Sequence, residues 1–198
     1  MKTRLFLLTA FLTYQLTNAQ SMLSTNEFLM DLSKSSLKWH GSSMFQFNDH
    51  DGTVNFKKGY LKVENGKLWG GSFEVDMTSI VAEDDGPNSG LAKHLKSADF
   101  FDVKMYPTAW LSIQKVRSTS EGNYEVEANL NIKGITKPVL FTATLEEVNK
   151  RWQLTTKFII DRSRWNIIYG RNGSGVTDPL KNYSISDAIK FEVTVVTQ

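Results

Sequence analysis

From Ser36 onward the chain alternates apolar and polar residues with a period of two, the spacing that sends successive side chains to opposite faces of a strand. In Asn123 to Ile132, the clearest stretch, Tyr124, Val126, Ala128, Leu130 and Ile132 alternate with Glu125, Glu127, Asn129 and Asn131. The same alternation recurs in Leu37 to Phe47, Leu68 to Met77, Ala109 to Val116, Val139 to Leu145, Trp152 to Ile160 and Ile185 to Val195. With the less regular Val54 to Val63 it predicts eight strands. Residues 21 to 35 carry no period and read as a leader with one helical turn.

Most predicted connections are short and rich in turn formers, as at Asn65-Gly66, Glu121-Gly122-Asn123 and Val148-Asn149-Lys150. Neighbouring strands therefore pair antiparallel as hairpins, and an up-and-down meander follows. Between Thr78 and Pro107, in the connection from the third predicted strand to the fourth, Leu91, His94, Leu95 and Ala98 fall at the spacing of one helix face, with Asn88 or Ser89 as cap. Asp161 to Tyr183 forms a second long connection. Eight antiparallel strands leave sticky edges unless they close, and a closed barrel of eight either fills with side chains or holds one small ligand. The expectation is all-β: an eight-stranded antiparallel, lipocalin-like barrel, with one short helix inserted between strands 3 and 4.

The first residues have a different logic. Lys2 and Arg4 precede an apolar run from Leu5 to Leu12, and Thr17 and Ala19 supply the small pair before a cleavage point. That order predicts a secretory signal peptide over residues 1–19 and a single domain over 20–198, placed in the periplasm or secreted. The apolar run is shorter than the ~20 residues of a bilayer-spanning helix, so no integral membrane segment is expected. Without residues 1–19 the chain has 21 basic and 21 acidic residues, and no basic cluster speaks for nucleic acid. The absence of cysteine excludes thiol nucleophiles, thiolate metal sites and disulfides. Nothing in the sequence bears on oligomeric state.

Motifs for chemistry are sparse. His40, His50 and His94 lack the spacing that sets two imidazoles on one metal, and Asn48 to Gly52 reads as a polar hairpin turn. Gly173-Ser174-Gly175 is no nucleophile elbow, and neither a phosphate-binding loop nor a dinucleotide fingerprint is present. No catalytic residue, metal ligand or cofactor is expected.

Three longer motifs remain: His94-Leu95-Lys96-Ser97-Ala98-Asp99-Phe100-Phe101-Asp102-Val103 with Tyr106-Pro107, Leu130-Asn131-Ile132-Lys133-Gly134-Ile135-Thr136-Lys137-Pro138-Val139, and Phe158-Ile159-Ile160-Asp161-Arg162-Ser163-Arg164-Trp165. In this order they resemble the signatures of the YceI-like family. The resemblance implies a lipocalin-like barrel, exported, with polyisoprenoid chains as the ligand of some members. Each motif also has a structural reading. Phe100 and Phe101 plug the barrel, Gly134 makes a turn, Pro138 starts a strand, and Asp161 with Arg162 forms a buried ion pair.

The function expected is that of a binding or carrier protein rather than an enzyme, with an apolar isoprenoid or lipid-like small molecule inside. Its wall would be Trp39, Phe45, Phe73, Val75, Leu111 and Ile113 from the first half of the barrel. Val126, Leu130, Phe141, Phe158, Phe191 and Val193 would complete it. Arg162 and Arg164 would stand at the rim for a head group. Two alternatives stay open: an enzyme on a lipid or quinone precursor using His94 or Asp99, and a ligand-free envelope or stress protein acting through a protein partner.

Overall fold

In a computed structural model the chain is described over residues 26–43, 49–83, 90–169 and 185–198. Its strands, in chain order, are β1 (Glu27–Leu29), β2 (Ser36–Ser43), β3 (Asp49–Glu64), β4 (Lys67–Ala82), β5 (Thr108–Ser120), β6 (Asn123–Ile132), β7 (Ile135–Val148), β8 (Arg151–Asp161) and β9 (Ile185–Val196). A helix α1 (Gly90–Lys96) and a 3-10 helix, Arg162–Trp165, complete the described elements. From β2 to β9 each strand pairs antiparallel with its neighbour in sequence, and β9 pairs back onto β2, which closes an eight-stranded barrel.

The hairpins show why the chain turns where it does. Asn65-Gly66 and Lys133-Gly134 both take positive φ at their two central positions, and Asn149-Lys150 does the same without a glycine. That geometry matches the right-handed twist of the flanking strands. These connections are tight, whereas β2 and β3, β4 and β5, and β8 and β9 are further apart in sequence, and the C-terminal ends of β2, β4 and β8 share one end of the barrel. That end is called the upper end below.

Two departures from the sequence pattern have physical causes. β1 lies in what read as a leader: its three residues pair with Tyr60–Lys62 of β3, continuing downward the slot that β2 fills above. A three-residue strand is too short to show a period, yet Met30, just beyond it, is buried, and Phe28 meets Trp152 edge-on at 6.3 Å. The helix therefore follows the fourth strand of the chain, β4, and does not lie between the third and fourth. In the second departure, Asp49–Gly52 is not a turn: β3 begins at Asp49, and Asp51 and Gly52 are laddered to His40 and Trp39. The irregular period of Val54 to Val63 comes from bulges against β4, one of them between Phe56 and Lys58. The bulge shifts the inward phase from Val54 and Phe56 to Gly59, Leu61 and Val63.

Burial follows the alternation. Along β6 the inward Tyr124, Val126, Ala128, Leu130 and Ile132 are all buried. The outer face carries charge instead: Lys157 and Lys190 flank Glu192 at 2.9 and 3.0 Å, and Lys58 meets Glu74 at 2.8 Å. A strand barrel in a bilayer presents the opposite pattern, an apolar outer band. No described helix is long and apolar enough to cross a membrane.

Candidate functional site

The barrel interior divides into a packed lower part and a hollow upper part. Below, Leu61, Val63, Leu68, Val126 and Leu145 are buried to 4% exposure or less, belong to the one hydrophobic core and do not line the cavity. Above them lies a cavity of about 630 Å³, floored by Leu154 and Val195 and roofed by Leu91, Leu95, Phe100 and Phe101. This is the size of a small-molecule site, and its wall is mainly apolar, with Ser42, His50, His94, Thr156, Arg162 and Ser186 as its polar members.

Aromatic residues build one side of that wall. Phe158 stacks on Phe141 at 5.0 Å between ring centroids and tilts against Phe191 at 5.4 Å, so β7, β8 and β9 present a continuous ring surface. Opposite, Phe73 pairs with Leu111, and Leu111 with Leu130, across β4, β5 and β6. Trp39 lies flat over Gly52, where any Cβ would collide with the indole and with the Val81 carbonyl. That glycine is what lets the large ring hug the wall.

Of the residues expected to form the wall, Trp39, Phe73, Val75, Leu111, Ile113, Leu130, Phe141, Phe158, Phe191 and Val193 face the cavity. Val126 does not: it is fully buried one level lower, in the packed part. It faces inward as its period requires, but its short side chain does not reach up as that of its partner Phe141 does. Phe45 lies outside the described residues.

The two arginines expected at the rim are both bonded to the barrel's own carbonyls. Arg162 is withdrawn from solvent entirely, at 0% exposure. Its Nη1 donates to the Ile167 carbonyl at 2.6 Å and its Nε to the Ser186 carbonyl at 3.1 Å, while Nη2 stands 3.3 Å from Asp187 Oδ1. The guanidinium also lies over the Phe100 ring at 5.5 Å. Arg162 is thus an anchor between the 3-10 helix and β9, and it also stands in the wall of the cavity. Asp161, its expected partner, accepts from Ser163 N and Oγ and caps the 3-10 helix. Arg164 is exposed, and its Nη2 donates to the Pro138 carbonyl of β7 at 3.0 Å.

The roof explains the three sequence motifs, because they meet there. Arg162 of the third packs on Phe100 of the first, and Trp165 Nε1 of the third donates to the Leu130 carbonyl of the second at 3.1 Å. Gly134 of the second, with φ of +72°, leaves room for Tyr106 of the first, which a Cβ would approach to 3.1 Å. The chain after α1 is fixed by backbone bonds from Phe101 N to Leu95 O and from Asp102 N to Ser97 O.

The sequence pattern missed several lining residues. Val54 and Phe56 were hidden by the bulge, Met77 ends a stretch whose alternation points it inward, and Ile80 and the roof residues of α1 lie where the alternation gives out. His50 and His94 also line the cavity, the latter edge-on to Tyr169 at 4.4 Å. His40 points outward and pairs with Asp51. Asp99 is exposed and off the cavity wall, so it does not converge with His94 on one point. No cluster of metal-ligating side chains occurs among the described residues.

Known proteins agree with this architecture. A UPF0312 protein of Pseudomonas putida (strain W619) is 38% identical over 104 residues, which is 52% of this chain and 50% of that protein. A UPF0312 protein of Azotobacter vinelandii is 34% identical over 49% of this chain and 46% of its own length. The chain thus spans about half the length of the curated relatives it matches. Among solved structures, Burkholderia cenocepacia BcnA superposes with a TM-score of 0.69 at 20% identity, covering 85% of this chain and 99% of BcnA. A polyisoprenoid binding domain from Saccharophagus degradans, implicated in plant cell wall breakdown, superposes with a TM-score of 0.63 at 11% identity over 86% and 97% of the two chains. At such identities these likenesses speak for the fold alone. The YceI-like domain itself matches residues 28–197, from the strand before the barrel to its last strand, and on that match the chain belongs to the YceI-like family.

Proposed function

We propose that this protein is an exported carrier that encloses one long apolar molecule, an isoprenoid or a similar lipid, in the upper half of its barrel. The observation that carries this reading is the apolar cavity of about 630 Å³ in the interior of a YceI-like barrel. Affinity comes from removing the chain of the ligand from water, at roughly 0.8 kcal/mol per buried CH₂. The rings of Phe141, Phe158 and Phe191 offer it a flat, rigid surface whose ordering costs little. The solved neighbour from Saccharophagus degradans, described as polyisoprenoid-binding, supports the choice of ligand class.

Two features favour carriage over the alternatives. Catalysis needs polar groups that converge on a reacting atom, and here Arg162 is engaged with carbonyls and Asp187 while Asp99 stands off the wall. A barrel acting only through a protein partner has no use for a hollow interior.

Titration with all-trans-retinol, a fluorescent isoprenoid alcohol, tests the reading. Saturable uptake at one molecule per chain, competed by geranylgeraniol, is expected; no uptake by the delipidated, folded protein would refute it. Export is tested by sequencing the N-terminus of the protein recovered from outside the cytoplasm, where a start near Gln20 is expected. Recovery of an intact Met1 would refute export.

A further inference from the structure

The barrel wall is interrupted beside the cavity. The ladder between β7 and β8 rises from Val148↔Arg151 to Ala143↔Thr156, where the described pairing ends. Above that point β7 continues to Ile135, laddered to β6, and β8 continues to Asp161, laddered to β9. The two strands run side by side with no ladder joining them among the described residues. The sequence supplies a cause: Pro138, on β7 in this stretch, has no N–H to give to a neighbouring strand.

Side chains hold the interruption closed. At its lower limit Thr156 Oγ1 donates to the Thr142 carbonyl at 2.6 Å, and at its upper limit Arg164 Nη2 donates to the Pro138 carbonyl. Inside, the Phe141 and Phe158 rings stack across the gap, 23° from parallel, and both face the cavity. Outside, extending the register puts Leu140 opposite Ile159, and these are exposed by 75% and 66%. The barrel has a second interruption, between β4 and β5 below Ser72↔Ser112. That one runs beside Leu68 and Val116, toward the packed part of the interior, and leads to no comparable space.

We propose that the β7–β8 interruption is the port through which the ligand passes, resting on the carrier reading above. It opens when Arg164 releases Pro138 and the two phenylalanine rings part, which breaks side-chain contacts and leaves every backbone ladder intact. Leu140 and Ile159 form its apolar outer lips, where the tail of a ligand first leaves water.

Because the chain has no cysteine, the test is direct. A double variant, Leu140→Cys with Ile159→Cys, is closed by oxidation or by a short bis-maleimide, and retinol uptake is followed by stopped-flow fluorescence. The control, Thr144→Cys with Thr155→Cys, joins the same two strands where they are already laddered. Closing the port should slow uptake and release about tenfold or more, as when opening limits the rate. Reduction should restore a disulfide-closed sample, and the control should match wild type. Unchanged kinetics in the closed variant would overturn the port while leaving the carrier intact, whereas wild type that binds no retinol would overturn both. If the thiols do not bridge, Arg164→Gln carries the test: freeing the clip should speed uptake several-fold at unchanged affinity, and an unchanged rate overturns the proposal.

Discussion

Replacing Leu111 by tryptophan should leave the fold nearly as stable as before and abolish ligand uptake, whereas Val126→Phe should do the reverse. Both residues face inward from adjacent strands, and both changes enlarge an apolar side chain. They differ in what lies above them. Val126 is fully buried among the close-packed residues of the lower barrel, so a larger ring there forces rotamers and backbone to shift, at a cost of about 1–3 kcal/mol. Leu111 looks into the roughly 630 Å³ cavity, where the added atoms of an indole displace little but empty space. Its penalty should stay within about 0.5 kcal/mol, the ordinary scatter of changes that strain nothing. Urea unfolding followed by circular dichroism separates the two. With a slope of about 2 kcal/mol per M, Val126→Phe should lower the midpoint by about 0.5–1.5 M and Leu111→Trp by about 0.25 M at most. Retinol titration gives the second readout: lost in Leu111→Trp, kept in folded Val126→Phe. Equal destabilisation by both, with uptake unchanged in Leu111→Trp, would refute the division of the barrel into a solid and a hollow half.

Other consequences are checked by the same unfolding assay. Arg162→Met strips the donor from the buried Ile167 carbonyl and the Ser186 carbonyl and removes the cation beside Asp187, so it should cost at least about 1–3 kcal/mol; a loss under about 1 kcal/mol would show that Arg162 is no anchor. Gly52→Ala should destabilise by at least about 1–3 kcal/mol and weaken retinol binding, since the new methyl meets the Val81 carbonyl and pushes Trp39 from the wall; wild-type behaviour would contradict the contact. Acid should weaken the fold through two carboxyls. Bonds from Ser33, Lys34 and Arg151 hold Asp31 well below the usual carboxylate range, and Lys157 and Lys190 hold Glu192 at about 2. A carboxyl lowered on folding contributes stability above its unfolded pKa, roughly 4, and loses it as pH falls toward the folded value. Asp31→Asn and Glu192→Gln should therefore each flatten the decline below pH 4, and an unchanged acid limb would contradict the assignment.

Much of the barrel was legible because period two reports which side of a strand faces in. Phe73, Leu111 and Phe158 were placed correctly on the inner face by that rule alone. Height along the barrel is what the rule does not carry. Val126 and Phe141 are cross-strand partners with the same orientation, and only the longer side chain reaches the cavity. Bulges hide phase as well, which is why Val54 and Phe56 were missed while Leu61 and Val63, on the far side of the shift, ended in the packed part. Arg162 stands in the cavity wall, but the partners that bury it were not legible. The sequence suggested a buried pair with the adjacent Asp161, whereas the guanidinium meets Asp187 and the backbone carbonyls of Ile167 and Ser186, and carbonyls have no signature in the sequence.

The central claim, that the barrel encloses a long apolar ligand, is tested most directly by native mass spectrometry of the exported protein purified without added lipid. The account predicts a mass exceeding that of the polypeptide by one long-chain molecule, lost on organic extraction and regained on incubation with geranylgeraniol. A bare polypeptide mass before and after that incubation, in a protein still folded by circular dichroism, would contradict it.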